Sequence, residues 1–233
     1  MMGFSQARYE QVLDRIAGAA KKSGRSPEDV ELVSVSKTQP PEVVAEAIEG
    51  GVQIFGENRV QEARDKRGAL DPELAARARW HLIGSLQRNK ARQVPGLFDV
   101  VESVDSAALA AELSARVALS GGELLDVFIQ VNTGDEPQKG GVLPAELPSL
   151  LEEISGLASI RVVGLMCIPP LGREPEESRP HFRVLRELRD RAADSGFTSV
   201  SRLSMGMSSD YEVAIEEGAT NVRVGRAVFG ARD

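Results

Sequence analysis

The stretch LSMGMSSDYEVAIEEGATNVRVGRAVFG, Leu203–Gly230, decides the fold. It reads in order as strand, turn, helix, strand, turn. Ser204, Gly206 and Ser208 precede the helix, and Gly225 follows the last strand. Small residues at such places let a backbone approach something closely. Helix N-termini and glycine turns present free N–H groups, which suit an anion such as phosphate.

The same alternation runs back through the chain. Strands are predicted at Val30–Val35, Val52–Phe55, Trp80–Ile83, Phe98–Val101, Leu125–Val131, Ile160–Met166, Ser201–Leu203 and Val222–Val224. Helices are predicted between them, over Glu42–Ile48, Arg59–Arg67, Gln87–Gln93, Ser106–Leu119, Leu143–Leu157, Pro175–Ala193 and Ser209–Glu217. Pro40-Pro41 before the first of these and Gly50-Gly51 after it show the expected end asymmetry. Continuous apolar strands alternating with helices predict a parallel sheet. Eight such units predict a closed (β/α)₈ TIM barrel, with an open doubly wound sheet as the alternative. No GxGxxG follows the first strand, which counts against the open sheet. An extra N-terminal helix, Phe4–Ser23, precedes the barrel. No linker or low-complexity segment interrupts residues 1–233, which read as a single domain.

Composition narrows the function classes. Hydrophobic residues make up 42% and charged residues 27%, as in an ordinary globular chain. A net charge of −7 argues against a nucleic-acid partner, because a phosphate backbone needs concentrated Lys and Arg. No apolar run approaches the ~20 residues that span a bilayer, and the N-terminus lacks a signal-peptide core. The single cysteine, Cys167, fits a reducing compartment and reads as a small buried hydrophobe. The expectation is a cytoplasmic protein. Two histidines far apart, His81 and His181, form no metal-ligand spacing, and no G-x-S-x-G or His-Glu-x-x-His is present.

In such a barrel the chemistry sits at the C-terminal strand ends. The predicted ring there is Lys37; Gly56 to Arg59; Gly84, Ser85 and Gln87; Glu102 and Ser103; Asn132 and Thr133; Met166 and Cys167; Ser204; and Gly225 with Arg226. Lys37 is either a solvated strand-end lysine or a reactive one. Partial desolvation after Leu32, Val33 and Val35 favours the neutral, nucleophilic amine. The phosphate-type segment of the last strand weighs toward reactivity, because closure of a barrel sets that strand beside the first. A lysine opposite a phosphate cradle suits a cofactor that is both phosphorylated and an aldehyde, and pyridoxal 5′-phosphate (PLP) has that chemistry. Arg223, within VRVG, needs a buried partner. The alternatives are a barrel carboxylate or the pyridine nitrogen of PLP. The loop NTGDEPQKGG, Asn132–Gly141, is either a surface loop or a lid over the mouth.

The motifs VSVSKTQP, FGENRVQEA, WHLIGSLQRNK, VNTGDEPQKGG, GLMCIPP and the Leu203–Gly230 stretch occur in that order. Through them the chain resembles the PLP homeostasis (YggS-like, or proline-synthase-associated) family, which is similar in fold to the N-terminal barrel of alanine racemase. The resemblance implies a fold-type III PLP site. It implies that Lys37 carries PLP as an internal aldimine, and that Ser204, Gly225 and Arg226 hold the phosphate. It implies further that Arg223 faces the pyridine nitrogen and Asn58 lines the pocket, with Met205 to Ser208 as weaker phosphate candidates. It implies a monomer that takes part in PLP supply, with apo forms of PLP-dependent enzymes as candidate partners. Catalysis is expected to be slight or absent, because no second base can be assigned for the opposite face of the cofactor. The competing functions are a weak PLP-dependent racemase, a Schiff-base aldolase without PLP and a scaffold without cofactor.

Overall fold

In the computed structural model, which describes residues 3–136, 138–170 and 172–230, eight parallel strands close into a barrel. They are β1 (Glu31–Val35), β2 (Ile54–Glu57), β3 (Arg79–Leu82), β4 (Val100–Val104), β5 (Leu125–Gln130), β6 (Ile160–Met166), β7 (Arg202–Met207) and β8 (Asn221–Val224). The seam is β8 against β1, with Leu32 opposite Val222 and Val33 opposite Arg223. The expected (β/α)₈ barrel is the observed one.

Around it run α1 (Gln6–Lys22), α2 (Pro41–Glu49), α3 (Val60–Ala69), α4 (Pro72–Ala75), α5 (Ala107–Ser120), α6 (Leu147–Ile154), α7 (Arg179–Asp194), α8 (Tyr211–Glu216) and α9 (Arg226–Phe229). Their ends follow from local chemistry. The Ser106 hydroxyl caps α5 by accepting from Leu109 N–H, and Gly121 ends it at φ 63°. The additional helix α1 lays Val12, Ile16, Ala19 and Ala20 inward, and Arg15 forks onto Glu212 of α8.

Strand side chains alternate between two environments, as a period of two requires. Phe55, Trp80, Leu82, Val101 and Val222 point outward into the layer shared with the helices, where Phe55 and Trp80 stack with centroids 5.2 Å apart. Burying a side chain such as Phe55 or Leu82 stabilises by about 1.5–3 kcal/mol. Inside the barrel, Val33, Val35, Ile54 and Ile83 form one apolar cluster and Val100, Phe128, Val163 and Met166 another.

Several elements differ from their sequence-based bounds. β4 continues to Val104 and β7 to Met207, beyond the expected Val101 and Leu203. In both strands a polar residue, Glu102 or Ser204, breaks the apolar run, yet each is buried within the barrel fold. The register shifts there, between Val101 and Val104 and between Ser204 and Met207, and such irregularities re-aim side chains. Arg88–Gln93 is a 3₁₀ segment rather than an α-helix, α7 begins at Arg179 after a 3₁₀ turn, and α6 is confined to Leu147–Ile154. The short helices α4 and α9 carry no amphipathic period that could announce them.

Candidate functional site at the barrel mouth

Lys37 lies two residues beyond β1, partly exposed, in a turn closed by Gln39 N–H to the Ser36 carbonyl at 3.0 Å. Its neighbour Thr38 sits at φ 68°. A β-branched residue in the left-handed region is a genuine outlier, costing roughly 1–3 kcal/mol, and such strain gathers at functional sites. A buried charge cluster lies alongside. Lys66 of α3 donates to the Ser36 carbonyl at 2.6 Å, to Glu57 at 2.6 Å and to Glu62 at 2.8 Å. The Ser36 hydroxyl donates to Glu57 at 2.7 Å, and Thr38 N–H donates to Glu62. Burial pushes the Glu57 carboxyl up, offset in part by Lys66. Glu62 is held below its usual range: hydrogen bonds from Lys66 and the Thr38 amide outweigh partial burial.

A second polar chain crosses the barrel interior. Arg223, 4% exposed, donates to the Ser204 hydroxyl at 2.6 Å and to the Cys167 carbonyl at 2.8 Å. Ser204 in turn donates to Glu102 at 2.5 Å, and the other oxygen of Glu102 meets His81 Nδ1 at 2.7 Å. Burial alone would raise the Glu102 carboxyl, but His81, Arg223 and Ser204 together hold it below the usual carboxylate range. Arg223 therefore has a barrel carboxylate, Glu102, as a charge partner at 3.9 Å. Ser204, expected near the phosphate, lies in the barrel interior beside Arg223. Its side chain is fully buried, and its hydroxyl bonds Glu102 and Arg223 and so orients the guanidinium.

The remaining candidates lie around the rim. Asn58 follows β2, and its buried Oδ1 has no hydrogen-bond partner. Gly84 fixes that residue's backbone, because a Cβ there would come 2.2 Å from the Asn58 carbonyl oxygen. Gly225 sits against the end of β1, where a Cβ would lie 3.2 Å from the Val35 carbonyl oxygen. It opens α9, and the first amides of a helix have no intrahelical acceptor. Arg226 is exposed. Met207 pairs with Arg223, so the turn after β7 leaves the barrel beside Gly225. Asp210 fixes that turn, accepting from Met207 N–H at 2.7 Å and from the Ser178 hydroxyl at 2.8 Å.

The β8–β1 pairing thus sets Gly225 beside Val35, two residues before Lys37, with Arg223 two residues back along β8. Asn58 lies one strand further round. In the 132–141 loop, Asn132 bonds Glu136 in both directions and Lys139 donates to the Pro169 carbonyl. Among the described residues no group of three or more His, Cys, Asp or Glu could hold a metal ion, and no helix is long and apolar enough to cross a membrane. Lys66 is a buried cation next to Lys37 in the fold that the sequence pattern did not single out. Its signal is its place on the stripe Val60, Ala63, Lys66, the buried face of α3.

Residues 11–233 match the family described as alanine racemase, N-terminal domain. The chain belongs to this family. Within it, the chain is 46% identical to the pyridoxal phosphate homeostasis protein of Aquifex aeolicus, covering 97% of both chains. It is 42% identical to the protein of that name from Escherichia coli K12, covering 96% of this chain and 94% of that one. A solved structure of PipY from Synechococcus elongatus with PLP bound superposes with a TM-score of 0.79 at 38% identity, covering 92% of this chain and all of that one.

Proposed function

We propose that this chain binds PLP at the barrel mouth, holds it reversibly on Lys37, and serves PLP homeostasis with little or no catalysis. The observation that carries this reading is the β8–β1 seam, where Gly225, at the start of α9, packs against Val35, two residues before Lys37. Two features of the mouth suit the cofactor. Asn58 Oδ1 is buried without a partner, and Gly225 lets the start of α9 pack close against the end of β1. When bound, PLP supplies an aldehyde that condenses with a lysine amine as a Schiff base.

The chain's own residues have distinct tasks. Lys37 supplies the amine. The amides of Gly225 and Arg226 suit the phosphate, and the phosphate-type turn after β7 stands beside them. Arg223 is the group that would meet the pyridine nitrogen. It is held by Ser204 and the Cys167 carbonyl, and Glu102 balances its charge. A permanent cation there keeps that nitrogen unprotonated and the ring a poor electron sink. Holding PLP needs only the lysine and this cradle, whereas racemisation needs an acid or base on each face. The similarity to pyridoxal phosphate homeostasis proteins over nearly the whole chain supports the same reading. We further read it as a cytoplasmic monomer of one barrel domain, which sedimentation would check, with apo PLP-dependent enzymes as recipients.

Titration of the purified protein with PLP tests the proposal. The wild type gains the long-wavelength absorbance of a protonated Schiff base, and Lys37→Ala leaves only the spectrum of free PLP. Equal spectra for the two proteins would reject Lys37 as the anchor. Loss of optical activity from an L-amino acid, dependent on Lys37, would favour a racemase.

A further inference from the structure

We propose that Lys66 and Glu62 of α3, with Glu57 of β2, are positioning residues that set the direction in which Lys37 presents its amine. The inference rests on the PLP reading above. The two peptide groups that flank Lys37 are each gripped by this cluster. On one side the Ser36 carbonyl accepts from Lys66 at 2.6 Å, and on the other Thr38 N–H donates to Glu62. Lys66 and Glu62 are themselves joined at 2.8 Å, one helical turn apart. Both grips therefore come from one rigid element. An ammonium has three protons to donate, and those of Lys66 meet three oxygens: Ser36 O, Glu57 Oε1 and Glu62 Oε1.

The backbone between the grips is one that relaxes if released. Thr38 at φ 68° is held in a region a threonine rarely occupies, and its amide bond to Glu62 is part of what keeps it there. Return of Thr38 to an ordinary conformation rotates the peptide planes on which the Lys37 side chain is mounted. Glu57 braces the other end, because its Oε1 takes both the Ser36 hydroxyl and Lys66. A buried ion pair is often no more stabilising than apolar residues of the same volume. This one reaches both sides of a single lysine, so its distinctive consequence is orientation.

Glu62 is the informative position, because its side chain is 26% exposed and its replacement leaves the Lys66–Glu57 pair in place. Purified wild type, Glu62→Ala and Glu62→Gln are each mixed with PLP, quenched with borohydride over time and mapped by peptide mass spectrometry. Circular dichroism of the bound chromophore and thermal unfolding are recorded in parallel. Glu62→Ala is expected to form the Lys37 adduct at least about tenfold more slowly, with an altered dichroic band. Glu62→Gln recovers both, since its carboxamide oxygen still accepts from Thr38 N–H. Adduct formation by Glu62→Ala at the wild-type rate, with the wild-type band, overturns the proposal. So does equal impairment of Glu62→Ala and Glu62→Gln. If the wild type itself forms no Lys37 adduct, the PLP reading fails. The positioning claim is then decided in the same proteins without PLP, by acetic anhydride labelling of Lys37 relative to Lys21. A changed ratio in Glu62→Ala, restored in Glu62→Gln, supports it, and an unchanged ratio refutes it.

Discussion

The Arg223 guanidinium donates a 2.6 Å hydrogen bond to the Ser204 hydroxyl across the β7–β8 pair. Because Ser204 in turn donates a hydrogen bond to Glu102, a change at β7 reaches the barrel's central cation. Ser204→Ala leaves one donor of Arg223 and one lone pair of Glu102 without this partner. The expected cost is about 1–3 kcal/mol of stability, the usual penalty for stranding buried polar groups. Denaturant unfolding measures it, and PLP affinity falls in the same variant. A variant as stable as the wild type would show that the chain does not hold Arg223.

Glu102 makes the stability pH-dependent with a definite sign. Its carboxyl is held below the usual carboxylate range in the fold, so the unfolded chain takes up this proton at higher pH than the native one. Its contribution is complete above the ordinary carboxylate range and is lost as pH falls through the depressed native value. Glu57, pushed up by burial, has the opposite sign: its contribution is complete at low pH and is lost as pH rises through its raised value. Glu102→Gln should therefore flatten the acid limb of a stability–pH curve. An acid limb as steep as the wild type's would contradict this.

Cys167 should be inert in the folded protein. Burial pushes its thiol up to about 12, and the side chain is wholly enclosed. A disulfide reagent at mildly alkaline pH should label no thiol in the native protein and one per chain in denaturant. Rapid native labelling would show that the mouth opens as far as β6.

Gly84→Ala probes the rim. The added Cβ would meet the carbonyl of Asn58 at 2.2 Å, and backbone cannot give way as a side-chain tip can. The expected loss is about 1–3 kcal/mol of stability, with weaker PLP binding because Asn58 moves. Unchanged binding in a folded Gly84→Ala protein would remove Asn58 from the site.

Much of the architecture was legible in the sequence because it rests on local pattern. Runs rich in apolar residues, such as Trp80–Ile83 and Ile160–Met166, mark strands, and their alternation with helices predicts the barrel. Lys37, Arg223 and Gly225 stand out in the sequence as candidates, since each is an exception to its surroundings. Less legible were the residues whose partners lie far along the chain. Ser204 reads as part of a glycine-rich turn, and only closure of the barrel sets it beside Glu102, 102 residues away. Glu102 reads as a strand end because the register shift that turns it inward leaves no local mark. Lys66 looks like one more charge on a polar helix until α3 docks and buries it.

The central claim is that Lys37 is the residue that holds PLP, and reductive trapping tests it most directly. The purified protein is incubated with PLP, reduced with borohydride, digested and analysed by mass spectrometry. The account predicts a pyridoxyl-phosphate adduct on Lys37 that is lost in Lys37→Ala. An unmodified Lys37 after excess PLP, or a wild-type yield of adduct confined to other lysines, would contradict it.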